Sequence, residues 1–195
     1  MATLYELLGI LVTSFVLNII PFMGPSNMLI ATNAALFVNA DPFTIGFLVA
    51  LGSALAKSIH YAFTFFVGGF LGEERRKRID TAGLKLKRWA FLALFVVAAT
   101  PLPDEPVVVP LGLIKYNPAK FFTSYFIGKL SITIVGAYLG KAGQEFLMPW
   151  VTQEILMVAS IILTIVVTVV LLKVDISEIV RKVVKRKSQE GYGSF

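Results

Sequence analysis

Two proline clusters interrupt sequence that is otherwise apolar enough to cross a membrane. They are Pro21-Phe22-Met23-Gly24-Pro25-Ser26-Asn27 and Pro101-Leu102-Pro103-Asp104-Glu105-Pro106. Proline removes a backbone donor and clashes with the preceding turn, so each cluster ends a helix. Lipid offers no replacement hydrogen bonds, and broken backbone survives at depth only inside protein or along a cavity. A chain with two such breaks is therefore confined to folds in which helices stop partway and other helices cover their ends. Composition supports the membrane premise: 56% of the 195 residues are hydrophobic and 15% are charged. Soluble domains average about 45–50% apolar and about 25% charged. Mean hydropathy is +0.78. With no cysteine, disulfide frameworks, thiolate nucleophiles and Cys-ligated metal sites are excluded.

The segments between the breaks follow a simple order. Residues 4–20 are apolar, lack a basic start or an obvious cleavage site, and read as a retained helix rather than a signal peptide. A short apolar helix to about Phe37 follows the first break. Asp41 then stands as a helix N-cap with Pro42 at the first helical position, and residues 43–71 are long enough to span. Beyond a basic amphipathic stretch at 73–88, residues 89–100 meet the second break and a short segment runs to about Ile114. Asn117-Pro118 opens a second spanning segment, 119–140, and a last apolar run covers 154–172. The tail 173–195 is basic, with Ile176, Ile179, Val180, Val183 and Val184 at helical spacing, as in a helix lying on a membrane surface.

The net charge of +6 is concentrated. Arg75, Arg76, Lys77, Arg78, Lys85, Lys87 and Arg88 form one group and six more bases lie between Lys173 and Lys187, together 13 of 18. Both groups flank apolar runs, so they read as cytoplasmic anchors and not as a nucleic-acid patch. An even number of crossings must then separate them, which 119–140 and 154–172 supply. Residues 89–116 have to enter and leave on one side, as a re-entrant hairpin. The same count makes residues 21–40 a hairpin entering from the opposite face. The expected fold is all-α and integral to the membrane, a single domain over 1–172. About four spanning helices accompany two opposed re-entrant hairpins, in an inverted repeat of about 21–72 and about 89–145. The whole would sit in the cell membrane as a multi-pass protein.

Few charges remain once the flanks are set aside. Asp104 and Glu105 lie at the second break, about 14 residues or roughly 21 Å of helix beyond Trp89. Lys129 is eleven residues past Pro118, roughly 16 Å along the helix. Lys57 and His60 fall inside the first long helix. Charges at such depth cost several kcal/mol in hydrocarbon and are expected to face protein or water. Lys57 and Lys129 are candidates to receive an anionic headgroup or to pair with the acidic tip, with snorkelling as the alternative. Ser26 and Asn27 at the first tip are further headgroup candidates. Asp104, Glu105 and His60 are candidates for ion coupling or gating. The alternatives are N-capping for the carboxylates and plain helix packing for the histidine. Pro21, Gly24, Pro25, Pro101, Pro103 and Pro106 mark the tips. Adjacent on a helix, Asp104 and Glu105 would diverge by about 100° and make a poor acid/base couple. There is no nucleotide loop, metalloprotease motif or nucleophile elbow. No enzyme activity, metal or cofactor is expected, apart from an open role for H+ or Na+ as coupling ion.

The segments Pro21–Phe37, GSALAKSIHYAFTFFVGGFLG (Gly52–Gly72) and TPLPDEPVVVPLGLIKYNPAKFFTSYFIGK (Thr100–Lys129) resemble the DedA/VTT (SNARE-associated Golgi protein) superfamily over roughly residues 15–145. The resemblance implies two opposed re-entrant hairpins and movement of lipids between leaflets. Prokaryotic members include polyprenyl-phosphate flippases, and eukaryotic members include phospholipid scramblases. Many members carry an acid at the first hairpin and arginines around the second. Here the first tip is uncharged and the second holds Asp104 and Glu105, with Lys57 and Lys129 as the deep cations. The expected function is a flippase or scramblase for a phosphate-headed lipid. Membrane lipids, anionic or phosphate-headed, are the expected partners; a homo-oligomer stays open and nucleic acid is not expected. An ion-coupled small-molecule exporter and a non-transporting assembly subunit are the alternatives.

Overall fold

The computed structural model describes residues 2–21, 25–70, 87–101 and 103–147, with scattered positions between 155 and 169. All regular structure among them is helical. The helices are α1 (Leu4–Ile19), α2 (Asn27–Phe37), α3 (Pro42–Val67), α4 (87–98), α5 (Glu105–Leu113) and α6 (Pro118–Leu147). Gly24, Leu102, most of the basic stretch 73–88 and the tail 173–195 lie outside the described residues. In the run 154–172, the described positions, such as Ile155, Val158, Ile162 and Val166, are helical and exposed.

Local chemistry sets the boundaries. Thr3 and Glu6 form a reciprocal capping box at the start of α1, which satisfies two orphan donors. The Asp41 carboxylate accepts from the Thr44 amide at 3.1 Å with Pro42 behind it. Asn117 does the same for Lys120 at 3.0 Å, so both long helices start where their Asx-Pro pairs place them. α5 ends through Lys115, which takes a positive φ of 50°, while the Tyr116 amide returns to the Leu111 carbonyl. That geometry closes helices without glycine at the cost of local strain.

At 1.5 Å per residue, α3 and α6 are about 39 and 45 Å long, whereas α2 and α5 reach only about 17 and 14 Å. A hydrocarbon core is about 30 Å thick. Among the described residues, α3 and α6 are the helices long and apolar enough to cross it. Among the described residues the order helix, short helix, long helix occurs twice, as α1–α2–α3 and α4–α5–α6.

Exposure is inverted relative to a soluble protein. Phe63, Phe66, Tyr138 and Leu139 are exposed, and so are Leu8, Val12 and Val16 of α1 and Leu92 and Val96 of α4. Lys57, Asp104, Glu105 and Lys129 are buried. Such an exterior is stable against lipid tails and unstable against water.

Small residues let the helices close on those charges, as is usual where lipid supplies no hydrophobic drive between helices. Gly52 of α3 lies against α1, where a Cβ would meet the Leu11 carbonyl oxygen at 2.5 Å. Gly128 of α6 holds α4 the same way, with the Phe95 carbonyl oxygen at 2.6 Å. Each is the glycine ten residues beyond its helix-opening proline. Gly52→Ala is expected to cost about 1–3 kcal/mol by overpacking, whereas Gly9→Ala, with nothing within 4 Å, is expected to be neutral or slightly stabilising. Thermal unfolding midpoints in detergent compare the two.

Candidate functional site

The two lysines project inward from the two long helices, and the acids come from the second break. Lys57 Nζ lies 3.2 Å from Asp104 Oδ1 and also pairs with Glu105 Oε1. Lys129 Nζ lies 3.0 Å from Asp104 Oδ2. All four side chains are at least 94% buried, and their formal charges sum to zero. Tyr125, on α6 and fully buried, donates its hydroxyl to Asp104 Oδ2. The Lys129 ammonium also lies over the Tyr125 ring, 5.3 Å from its centroid.

The helix break makes this arrangement achievable. Asp104 is the N-cap of α5 with a φ of −101°, and its side chain makes no capping hydrogen bond. The cap keeps right-handed helical dihedrals, and both acids meet the same ammonium because Lys57 extends to them from another helix, α3. The N-capping role is therefore not the one its carboxylate takes. Nor do the lysines snorkel.

Desolvation explains why the group closes. Burial costs several kcal/mol per ion, and two opposite charges about 4 Å apart recover about 4 kcal/mol at an effective dielectric of about 20. The pairs roughly break even as a set. Removing one member leaves an uncompensated charge, which is the expensive state.

The other predicted residues are spread around this centre. Asn27 is buried and pairs with Asn18 across the first break. Ser26 precedes α2 without capping it, and its hydroxyl has no hydrogen-bond partner among the described residues. His60 Nε2 donates to the Ile19 carbonyl at 2.8 Å, and its buried Nδ1 has no hydrogen-bond partner among the described residues; it braces the end of α1 rather than joining the carboxylates. Pro21 and Pro101 are exposed, Pro25 and Pro103 are partly covered, and Pro106 lies in the first turn of α5.

Charge and proline alone did not indicate Tyr125, Ser53, Asn18 or Ser14. Ser53 links Asn18 at 3.1 Å to Tyr125 at 3.3 Å. Ser14 donates to the Val49 carbonyl, tying α1 to α3. A signal existed: Ser53 and Lys57, Tyr125 and Lys129, and Ser14 and Asn18 are each spaced i, i+4, so each pair shares one helix face. An apolar cleft of about 340 Å³ lies elsewhere, between α1 and α2, lined by residues including Gly9, Ile10, Leu17, Ile30 and Phe37.

With this geometry in place, the comparisons with known proteins add one match. A family model described as the VTT domain matches residues 24–142, more than half of the chain and all of the charge cluster. Comparison with curated proteins and with solved structures gave no match.

Asp104→Asn, which strands part of the charge of two lysines, is expected to destabilise by about 3–5 kcal/mol, as for other broken buried pairs. Combining it with Lys129→Met restores neutrality and should recover much of that loss. Thermal midpoints of the two single variants and the double variant in detergent check the ordering.

Proposed function

Since the chain belongs to the VTT-domain family, we propose that it is a membrane lipid transporter, a flippase or scramblase that carries a phosphate-headed lipid such as a polyprenyl phosphate or a phospholipid between leaflets. One observation carries this reading. Both buried lysines are held by carboxylates that sit at a helix break, so one movement of the break frees two cations together. A phosphate group is the natural replacement. It is anionic, it offers several acceptor oxygens, and it can occupy both ammonium groups at once.

In this reading the two broken units, α1–α2 and α4–α5, are re-entrant hairpins that enter from opposite faces. α3, α6 and the apolar run 154–172 supply the crossings, and the basic stretch 73–88 and the tail 173–195 stay cytoplasmic. The headgroup crosses between the hairpin tips while the acyl or isoprenyl tail remains in the bilayer. The protein acts as a carrier, with no bond made or broken in the lipid.

Charge balance then constrains the cycle. The resting cluster is neutral, and an arriving phosphate brings negative charge into a site that has shed its water. A proton on Asp104 or Glu105, or a sodium ion, restores neutrality and lets the carboxylates let go. A coupled flippase and a passive scramblase differ in whether that cation crosses with the lipid.

Purified protein in liposomes is expected to move fluorescent phospholipid or polyprenyl phosphate across the bilayer. The Lys57→Gln, Lys129→Gln double variant should lower the rate at least tenfold, roughly the effect of losing one charge-assisted contact of 1.4 kcal/mol or more. Wild-type protein that moves neither lipid, in vesicles where it is folded and inserted, would remove the proposal. Substrate-dependent proton flux without lipid movement would select a small-molecule exporter instead.

A further inference from the structure

A line of neutral polar side chains runs from the second break to the first. Asp104 accepts from Tyr125, Tyr125 meets Ser53, Ser53 meets Asn18, and Asn18 pairs with Asn27 at the start of α2. All five residues are buried. The line draws on α5, α6, α3, α1 and α2 in turn, and packing alone does not require any of these polar groups in an apolar core.

Counting protons shows what the line can do. Asn18 Nδ2 spends its two hydrogens on the Ser14 carbonyl and on Asn27 Oδ1, both at 2.8 Å. The backbone carbonyl fixes the amide orientation, so Asn18 Oδ1 must face Ser53 as an acceptor. At the other end an ionised Asp104 can only accept, and the Tyr125 proton is committed to it. Between these fixed ends Ser53 owns one proton and two acceptors, Asn18 Oδ1 at 3.1 Å and the Tyr125 oxygen at 3.3 Å. Its proton is free to choose while Asp104 is charged. Once Asp104 carries a proton it can donate to Tyr125. Tyr125 then donates to Ser53, and the Ser53 proton is driven onto Asn18. No covalent bond to carbon changes; two hydroxyls rotate.

We infer that Ser53 and Tyr125 are positioning residues that report the state of the Asp104 carboxyl to the Asn18–Asn27 pair, coupling the two helix breaks. The groups facing Asp104 are Lys57 of α3, Lys129 and Tyr125 of α6, and Glu105 of α5, so neutralising Asp104 disturbs both lysines as well. Among the described residues, however, the hydroxyl line is the hydrogen-bonded route from Asp104 to Asn18. The inference rests on the transport reading for its purpose, which is to keep both breaks in step as a headgroup passes. Its test involves no transport.

The side-chain amide signals of Asn18 and Asn27 can be read by nuclear magnetic resonance in lipid nanodiscs, with Asn33 and Asn117 signals as a check on folding. Asp104→Asn, a neutral replacement of similar shape, is expected to shift the Asn18 signals. In a Tyr125→Phe or Ser53→Ala background the same replacement should leave them where that background puts them. Asn18 signals that ignore Asp104→Asn, or that shift equally in all three backgrounds, would overturn the inference. Should Asp104→Asn not fold, acid titration of the wild-type protein replaces it: the Asn18 signals should follow the Asp104 carboxyl in wild type and not in Tyr125→Phe, and the opposite pattern overturns the inference.

Discussion

Four charges buried in one place cannot each find water, so each must find another. Lys57 and Lys129 come from the two long helices and Asp104 and Glu105 from the start of a short one. Breaking even among the four requires all of them, because the penalty falls on whichever charge is left alone. α3, α5 and α6 are thereby held at fixed separation by electrostatics as well as by packing. The apolar cluster around Tyr61, Leu94, Val108, Leu111, Phe121 and Tyr125 packs at the same junction. A second cluster, with Ile10, Ile30, Ile45 and Val49, holds α1 and α2 against α3. The polar line through Ser53 joins the two.

The breaks are what give such a rigid arrangement something to do. A carboxylate on a long straight helix could release a lysine only by moving the helix. Asp104 stands at a helix end, beyond the turn and bends at 99–101 that follow α4, and torsions at a helix end are cheaper to change than a helix register. Its φ of −101° and ψ of −10° stay in the right-handed helical region, at the cap where the regular helix begins. The fold thus places its buried charge cluster at the start of a short helix and not along a continuous one.

Much of this was legible in the sequence because it depends on local rules. Asx-Pro pairs at 41–42 and 117–118 start α3 and α6, the proline clusters end α1 and α4, and the four deep charges stand out against apolar surroundings. What escaped was three-dimensional or neutral. Helical geometry marks Asp104 and Glu105 as a poor acid/base couple, and it is silent on a lysine that reaches both from another helix. Tyr125, Ser53 and Asn18 are uncharged and common in membrane helices, so a search for charge passes over them although their i, i+4 spacing was visible. Nor does the proline cluster indicate that α1 packs closely on Gly52 of α3.

The central claim is that the carboxylates at the second break and a lipid phosphate compete for the same two lysines. Calorimetric binding of a short-chain lipid phosphate to the detergent-solubilised protein tests it directly. Competition predicts that Asp104→Asn binds roughly tenfold more tightly than wild type, a change of about 1.4 kcal/mol, and that Lys129→Gln binds more weakly. Equal affinity in all three proteins would contradict the account.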